Sequence, residues 1–373
     1  MQAQEKEEKN PMEVLNFMNA NKNWREILAG EPYNITIKDY NGYTLLKYNQ
    51  LSSDFSLPIV RESRGAIFYQ RADGSYECVC RAFDKFMNYN QDGADEIDWT
   101  SAVVEEKIDG SLIKFYYHNN QWRIATNGTI DAFSAEATDN KSYGDLVVEA
   151  LGGADEASNF CSTLDKNYTY MFELVSPETQ LIVSYPETKL YFLGRRNIIT
   201  MREDKEKPNY PGIRAPKQYS LSSIDECLAY VKTMTKDEEG FVVRDKYFHR
   251  IKIKSPEYLI AFGANNNNKI TEKRIIRMLK NNTIDDFLAY CPQHKAKVDD
   301  VLSRIFAICE RLDSDWATNQ PVSSRKEFAL QIKNLKSKDF LFRKYDEPSL
   351  KAIDYILSLF TRTILRFLEE FKV

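Results

Sequence analysis

One lysine in this 373-residue sequence stands where an amine could do covalent chemistry. Lys107 begins the pattern Lys-x-Asp-Gly, in which Asp109 and Gly110 predict a tight turn between two strands. A glycine at such a turn lets the backbone approach a ligand closely, and a lysine amine beside it can act as a nucleophile. The pattern alone is weak, because most chance matches to it are ordinary surface turns.

A second group of charged residues lies in a strand predicted further along the chain. Over residues 249–254, Lys252 and Lys254 share one face, while Ile251 and Ile253 share the other. Two neighbouring ammonium groups repel each other, and a phosphate between them would relieve that repulsion. A solvated strand face explains the same pair equally well.

Two carboxylates accompany these lysines. Glu173 interrupts the apolar strand predicted over residues 168–175, and Glu239 opens the run Glu239-Gly240-x-Val242 ahead of the lysine strand. Glu173 either faces solvent on an amphipathic strand or belongs to a site.

Taken in order, these motifs resemble those of the covalent nucleotidyltransferase superfamily, which includes polynucleotide ligases and mRNA capping enzymes. Within that superfamily the sequence is similar to the phage RNA ligase 1 family, the single-strand, tRNA-repair type, over nearly the whole chain. The motifs that carry the resemblance are Ser63-Arg64-Gly65, Lys85-Phe86, Lys107-Ile108-Asp109-Gly110, Phe172-Glu173, Glu239-Gly240-x-Val242 and Lys252-x-Lys254. Leu112 stands where DNA ligases and capping enzymes usually carry arginine, and the C-terminal segment lacks the strands of their OB domain.

The resemblance implies a reaction in three steps. Lys107 would attack the α-phosphorus of ATP, expel pyrophosphate and hold AMP as a phosphoramidate. AMP would then pass to an RNA 5′-phosphate, and attack by a 3′-hydroxyl would seal the strand and release AMP. The partner would be RNA with 5′-phosphate and 3′-hydroxyl ends, with nicked tRNA favoured, after a separate kinase–phosphatase has healed the ends.

The resemblance also assigns roles to the matching residues. Asp109 would position the lysine and the nucleotide, while Lys252 and Lys254 would contact the α-phosphate and neutralise charge in each transition state. The other nucleotide contacts would be Arg64 and Lys85 on the outer phosphates, Glu173 on the ribose hydroxyls, and Leu193 and Val242 on the two faces of adenine. Glu239 would hold Mg²⁺ through water, with Mn²⁺ as the alternative ion.

One position departs from the family pattern. Family members usually carry Ser-Lys-Gly or Ser-Arg in the strand after the lysine motif, whereas this sequence has Thr126-Asn127-Gly128. Asn127 has no charge, so no phosphate or metal-organising role is expected there. Tyr258, which follows the lysine strand, is expected to serve packing rather than closure of the nucleotide site.

The elements that must position these residues form an antiparallel α+β pattern. Besides the two strands above, strands are predicted at 33–38, 43–48, 65–70, 76–82, 103–107, 112–117, 122–126, 181–184, 189–195 and 241–244. After residue 260 the apolar residues recur at helical spacing, ending in one long helix after Ser349. The sequence therefore predicts an antiparallel-sheet nucleotidyltransferase (adenylyltransferase) domain over 1–258 and an all-helical RNA-binding domain over 259–373.

Composition and charge fit this interpretation. The formal net charge is −4, yet residues 240–280 hold 10 Lys/Arg and 3 Asp/Glu, a basic segment suited to a polyanion. Within it, Lys273, Arg277 and Lys280 share one predicted helical face. No apolar run reaches about 18 residues and the first ten residues are charged, so neither a membrane span nor a signal peptide is expected. Six cysteines without an export signal indicate a reducing cytoplasm, that of a host cell if the sequence is phage-encoded.

Two other functions stay open. Another polynucleotide ligase or a capping-type nucleotidyltransferase would use the same lysine chemistry, although Leu112 and the missing OB pattern disfavour it. A helical RNA-binding protein on a degenerate nucleotidyltransferase scaffold would need no such chemistry. Against it, every charged motif residue is present except the one at position 127.

Overall fold

A computed structural model of the chain describes residues 11–50, 52–138, 140–264, 270–280, 284, 287–288, 291–321, 324–348 and 350–370. The chain divides into two compact units, Met1–Ala261 and Phe262–Val373. The helix start expected at Ser349 lies outside the described residues.

Strands dominate the first unit, where almost all of them pair antiparallel. In chain order they are β1 (Ile35–Tyr40), β2 (Tyr43–Tyr48), β3 (Arg64–Gln70), β4 (Tyr76–Cys80), β5 (Met87–Asn88), β6 (Val103–Glu106), β7 (Ser111–His118), β8 (Gln121–Ala125), β9 (Tyr168–Val175), β10 (Lys189–Asn197), β11 (Glu203–Asp204), β12 (Gln218–Tyr219), β13 (Gly240–Arg244) and β14 (Arg250–Lys254). They form three sheets, with the orders β1-β2-β3-β4, β11-β10-β9-β7-β8 and β12-β6-β13-β14-β5. The short β5 pairs with β14 in parallel.

Helices flank these sheets and complete the predicted α+β class, which is confirmed. They are α1 (Glu13–Ala20), α2 (Trp24–Ala29), α3 (Pro58–Glu62), α4 (Tyr143–Leu151), α5 (Ala154–Ser162), α6 (Ile224–Val231) and α7 (Pro256–Ala264). Local sequence explains the ends of α4: Ser142 forms a capping box with Asp145, and Gly152 ends the helix with a φ of +96°.

The prediction of a strand over residues 181–184 is wrong. This segment follows a short 3₁₀ turn, Pro177–Thr179, and bends instead of joining a sheet. The backbone N–H groups of Ile182 and Val183 donate to a carboxylate oxygen of Asp109, at 3.1 and 2.9 Å. Because these amides bind a side chain, they are not available to a strand ladder.

The described part of the second unit is helical and contains no strand. Its helices are α8 (Glu272–Lys280), α9 (Lys295–Thr318), α10 (Arg325–Ile332), α11 (Lys338–Asp346), α12 (Ala352–Ser358) and α13 (Thr361–Glu370). The prediction of one long final helix is wrong, because the helix is interrupted between α12 and α13. Leu359 is extended there, with φ −73° and ψ 158°, and its carbonyl accepts a 2.6 Å hydrogen bond from Nζ of Lys280.

Strand alternation explains how β14 serves both a core and a site. Ile251 and Ile253 pack into an apolar cluster with residues of β6 and β13. Lys252 and Lys254 therefore point to the opposite face. β13 pairs with β14 so that Val242 lies opposite Lys252 and Gly240 opposite Lys254.

Among the described residues, none of the helices combines the length and the apolar character that a membrane crossing requires. All six cysteines are free thiols. Cys161 is partly exposed, and the other five, Cys78, Cys80, Cys227, Cys291 and Cys309, are buried.

Candidate active site

The lysine turn lies between β6 and β7, as the sequence predicts. The backbone N–H of Lys107 donates to the carbonyl of Gly240 at 2.8 Å, which joins the turn to the start of β13. Gly110 lies so close to β9 that an added Cβ would stand 2.4 Å from the carbonyl oxygen of Leu174. At Gly240, φ is +132° and a Cβ would stand 2.1 Å from the carbonyl oxygen of Ile253. Backbone packing therefore requires glycine at both positions.

Glu239 is the ionic centre of the site. One of its carboxylate oxygens accepts a 2.8 Å hydrogen bond from Nζ of Lys107, and the other forms a 3.0 Å ion pair with Nζ of Lys254. Glu239 and Lys254 are buried, whereas the side chain of Lys107 keeps 20% of its surface exposed. The structure thus brings the lysine of the turn together with a lysine of β14 through one carboxylate.

The lysine strand is not a solvated face, so that alternative is wrong. Lys252 and Lys254 are only 6% and 7% exposed. The ammonium of Lys252 lies 5.6 Å from the ring centre of Phe86, and that of Lys254 lies 5.5 Å from the ring centre of Tyr258. Buried cations of this kind are expected to bind an anionic ligand.

Asp109 is fixed by hydrogen bonds to both of its carboxylate oxygens. One oxygen accepts from the backbone N–H groups of Ile182 and Val183, and the other accepts from the hydroxyl of Tyr258 at 3.0 Å. Burial raises the pKa of the Asp109 carboxyl above its usual value. The packing role expected for Tyr258 is therefore incomplete: its hydroxyl also fixes the lysine turn.

Glu173 faces the lysine turn from β9, opposite Leu112 of β7. Its Cγ lies 3.0 Å from the place that a Cβ of Gly110 would take. Loss of water contact raises the pKa of Glu173 to about 7, although the nearby charge of Lys107 opposes this shift. Glu173 makes no hydrogen bond to another described residue, so its oxygens remain available to a ligand.

The two residues expected to contact adenine lie on neighbouring sheets and are half-buried. Leu193 is the extra residue of a β-bulge in β10, where Phe192 pairs with Phe172 and Gly194 with Met171. Val242 lies in β13 between its partners in β6 and β14. Both present partly exposed apolar surface, which a purine ring could cover.

The residues expected to hold the outer phosphates differ in their surroundings. One guanidinium nitrogen of Arg64 is buried without a hydrogen-bond partner among the described residues. Such a donor is rare in folded proteins, and an anionic ligand would satisfy it. The charge of Arg64 also acts on Glu173, so it lies near the lysine turn. Lys85 is buried, with its ammonium 5.1 Å from the ring centre of Phe55 and 5.6 Å from that of Tyr48.

A buried lysine that sequence reasoning missed lies beside the uncharged Asn127. Lys114 of β7 is fully buried and donates to the carbonyl oxygen of Gly65, which packs against the backbone of Asn127. Burial lowers the pKa of Lys114 below its usual value. The one signal for it in the sequence was a lysine inside an otherwise apolar strand.

The carboxylates of the site do not form a complete metal site by themselves. They fit a metal ion that binds together with a nucleotide. Among the described residues, no group of three or more His, Cys, Asp or Glu side chains is arranged to hold a metal. Asp109 is saturated by protein donors and Glu239 faces two lysines, while Glu173 has open oxygens. Mg²⁺ commonly binds through one or two carboxylates, waters and substrate phosphates, and Glu239 could supply a carboxylate.

Comparisons with known proteins identify relatives among RNA ligases. A family model described as RNA ligase matches residues 62–258, more than half of the chain. A protein of Autographa californica nuclear polyhedrosis virus, described as a candidate bifunctional polynucleotide kinase/RNA ligase, is 33% identical over 72% of this chain and 40% of its own length. An RNA ligase of Rhodothermus phage RM378 is 24% identical over 76% of this chain and 80% of its own length.

Among solved structures, an archaeal ATP-dependent RNA ligase overlaps with a TM-score of 0.44 at 14% identity, covering 91% of this chain and 99% of that one. The matches to the two sequence relatives cover about two fifths of the length of the viral protein and about four fifths of the length of the phage protein.

Proposed function

This chain belongs to the RNA ligase family, of the phage RNA ligase 1 type, and on that premise we propose that it is an ATP-dependent RNA ligase. It joins an RNA 5′-phosphate to an RNA 3′-hydroxyl. The observation that carries the proposal is the pair of contacts on Glu239, which holds the amine of Lys107 against the phosphate-binding lysine strand.

In the first step, Lys107 forms a bond from nitrogen to the α-phosphorus of ATP while the bond to pyrophosphate breaks. The ammonium must first lose a proton, and the charge of Lys254, which pairs with the same carboxylate as Lys107, disfavours its charged form. Lys252 and Lys254 neutralise the charge that develops on the α-phosphate. Asp109 keeps the turn in place through its bonds to the 182–183 segment and to Tyr258.

In the second step, an oxygen of the RNA 5′-phosphate attacks the same phosphorus, and Lys107 leaves with its proton restored. In the third step, an RNA 3′-hydroxyl attacks the adenylated 5′-phosphate, and AMP leaves. In the second step the α-phosphorus is attacked, and in the third the α-phosphate leaves as part of AMP, so Lys252 and Lys254 neutralise its charge in all three steps.

The remaining residues recognise ATP. The open oxygens of Glu173 accept from the ribose hydroxyls, and Leu193 and Val242 cover the two faces of adenine. Arg64 and Lys85 hold the outer phosphates, which gives the unpartnered guanidinium nitrogen of Arg64 its anion. Glu239 would hold Mg²⁺ or Mn²⁺, and the ion would neutralise phosphate charge.

Nicked tRNA is the proposed natural substrate, gripped by a helical domain over residues 259–373. The resemblance to the RNA ligase 1 family supports it, as do the exposed Lys273 and Arg277 of α8. We also propose that an end-healing kinase acts in the same pathway. The name of the viral relative, which joins polynucleotide kinase with RNA ligase, supports that second proposal.

The test is incubation with ATP labelled at the α-phosphate, followed by denaturation. Wild-type protein should retain the label, and Lys107→Ala and Lys107→Arg should retain none, because neither can form a stable phosphoramidate. Both variants should still join pre-adenylated RNA, since that step needs no lysine nucleophile. Lys236→Ala removes an exposed lysine from the loop before β13 and serves as the matched control. Label on Lys107→Ala at the wild-type level would contradict the assignment.

A further inference from the structure

A cavity of about 680 Å³ lies in the first unit, and Lys85 is one of its lining residues. Six lysine and arginine side chains line it against three carboxylates, so its wall is net positive. We call it the basic cavity. A cavity of this size is larger than the outer phosphates of ATP require, and its charge suits a polyanion.

Contacts within the protein fix three of the arginines that line the basic cavity. Arg196 and Arg250 both bind the buried carboxylate of Glu203. Arg61 donates to the carbonyl oxygen of Phe55 and lies 3.6 Å from the carboxylate of Asp95. These arginines are held in place before any ligand arrives. Arg202 is different: it is exposed at the cavity and makes no ion pair with a described residue.

The outer wall is the turn between β13 and β14, and it presents an aromatic ring to solvent. Tyr247 is 64% exposed and lines the basic cavity. The buried carboxylate of Asp245 holds the turn by accepting from the backbone N–H groups of Tyr247 and His249, at 2.9 and 3.0 Å. Phe248 has a φ of +66°, a strained conformation for a residue with a side chain. The turn is held in place by Asp245 and carries an exposed tyrosine ring at its surface. Such a ring is suited to stacking on a nucleic-acid base.

Reaction geometry relates this cavity to the proposed ligase steps. When Lys107 attacks the α-phosphorus, pyrophosphate leaves on the opposite side, because phosphoryl transfer runs in line. In the next step Lys107 is the leaving group, so the RNA 5′-phosphate must attack from the side that pyrophosphate left. Lys85, assigned to the outer phosphates, therefore marks the entrance of the RNA end, and the basic cavity lies at Lys85.

We propose that the basic cavity binds the 5′-phosphorylated end of the donor RNA, with Tyr247 stacking on a base near that end and Arg202 contacting its backbone. The inference rests on the proposed ligase function and deepens it. It assigns the donor strand to the first unit, at residues outside the family motifs.

The experiment separates loading of AMP from its transfer. Enzyme carrying labelled AMP is freed of ATP and pyrophosphate and mixed with a short 5′-phosphorylated RNA, and the label appearing on RNA is followed. Tyr247→Ala should raise the RNA concentration needed for half-maximal transfer about tenfold, the effect of losing one stacked base. Tyr247→Phe keeps the ring and should behave as wild type.

Arg202→Ala should also weaken RNA binding and reduce its salt dependence, by up to about one unit of log–log slope. Lys236→Ala, which removes an exposed charge away from the cavity, is the control. A 5′-hydroxyl RNA of the same sequence should compete at least tenfold more weakly than the 5′-phosphorylated one.

Each failure has a distinct signature. If wild-type protein takes up no label from ATP, the ligase function and the inference both fall. If it labels and transfers normally but Tyr247→Ala and Arg202→Ala match Lys236→Ala, the inference alone falls. A loss of enzyme labelling equal to the loss of transfer would assign the cavity to ATP instead. Equal competition by 5′-hydroxyl RNA would overturn the placement of the 5′-phosphate.

Discussion

Lys107 and Lys254 bind opposite oxygens of one carboxylate, that of Glu239, at 2.8 and 3.0 Å. In this arrangement the proposed nucleophile is held in an ion pair, and the carboxylate expected to meet Mg²⁺ is already balanced by two cations. In the proposed complex with ATP, the α-phosphate would contact Lys254 and Glu239 would hold the metal ion. Glu239 therefore contacts Lys107 and Lys254 in the free protein and would contact the metal ion in the proposed complex.

Glu239→Gln tests this double role. Loss of the charge breaks the buried ion pair between Glu239 and Lys254, and breaking such a pair typically costs about 3–5 kcal/mol of stability. We expect a lower Tm together with a fall in AMP labelling of at least tenfold. Asp237→Asn makes the same charge change at an exposed position two residues earlier and should alter neither quantity. Normal labelling by a folded Glu239→Gln variant would remove Glu239 from the reaction.

Alanine variants of Arg64 and Lys85 should differ from those of Lys252 and Lys254 in which reaction step they slow. A lost contact to a charged phosphate costs about 1.5–3 kcal/mol, or roughly 10- to 150-fold. Arg64→Ala and Lys85→Ala should slow AMP loading by this factor and slow sealing of pre-adenylated RNA less, because that reaction involves no pyrophosphate. Lys252→Ala and Lys254→Ala should slow both reactions. An equal loss in both reactions for Arg64→Ala would contradict the division.

Glu173 should make stability depend on pH in a defined window. Its pKa is about 7 in the folded protein and 4.5 in the unfolded chain, so between these values the folded state keeps a proton that the unfolded state has lost. The contribution of Glu173 is therefore most favourable below pH 4.5 and is lost as the pH rises through 7.

Glu173→Gln removes this titration and should gain stability relative to wild type from pH 5 to pH 8. The gain is at most about 3 kcal/mol, since one pKa unit corresponds to about 1.4 kcal/mol. Urea titrations at several pH values measure it, with the exposed Glu96→Gln as control. Parallel stability curves for Glu173→Gln and wild type would refute the raised pKa.

The basic face of α8 is narrower than the sequence predicts. Lys273 and Arg277 are exposed, but Lys280 donates to the carbonyl of Leu359 and so has a structural contact. We expect Lys273→Ala combined with Arg277→Ala to weaken binding of nicked tRNA and to lower the salt slope by about 0.7–0.9 per lost phosphate contact. Self-adenylation should be unchanged.

The matched control for α8 is Lys326→Ala combined with Lys333→Ala, which removes two exposed charges elsewhere in the second unit. If both double variants shift the salt slope equally, the effect is one of net charge, and α8 has no particular place in RNA binding.

Sequence periodicity predicted the structure correctly where local backbone geometry alone determines it. The period of two places Lys252 and Lys254 on one face of β14, and the segment 107–110 connects β6 to β7 with a bend at Gly110, between two strands as predicted. It failed where a distant group intervened. Residues 181–184 have strand composition, but Asp109, more than 70 residues earlier, binds their amides.

Other features depend on packing between segments that are remote in sequence. The burial of Lys114 requires Gly65 and Asn127 to meet over it, which no local pattern indicates. At the break between α12 and α13, Lys280, about 80 residues earlier, donates a hydrogen bond to the carbonyl of Leu359. The hydrogen bond from the hydroxyl of Tyr258 to Asp109 joins residues 149 positions apart, and nothing in the sequence indicated it.

The six unpaired thiols make the chain its own probe of local opening. Burial raises the pKa of Cys78 and of Cys309 to about 12, so at neutral pH these thiols are almost fully protonated and shielded from alkylating reagents. A maleimide will modify such a site only during moments when its surroundings separate. Cys78 lies in the first unit and Cys309 in the second, so peptide-resolved modification rates would report the opening free energy of each unit separately, with no engineered label.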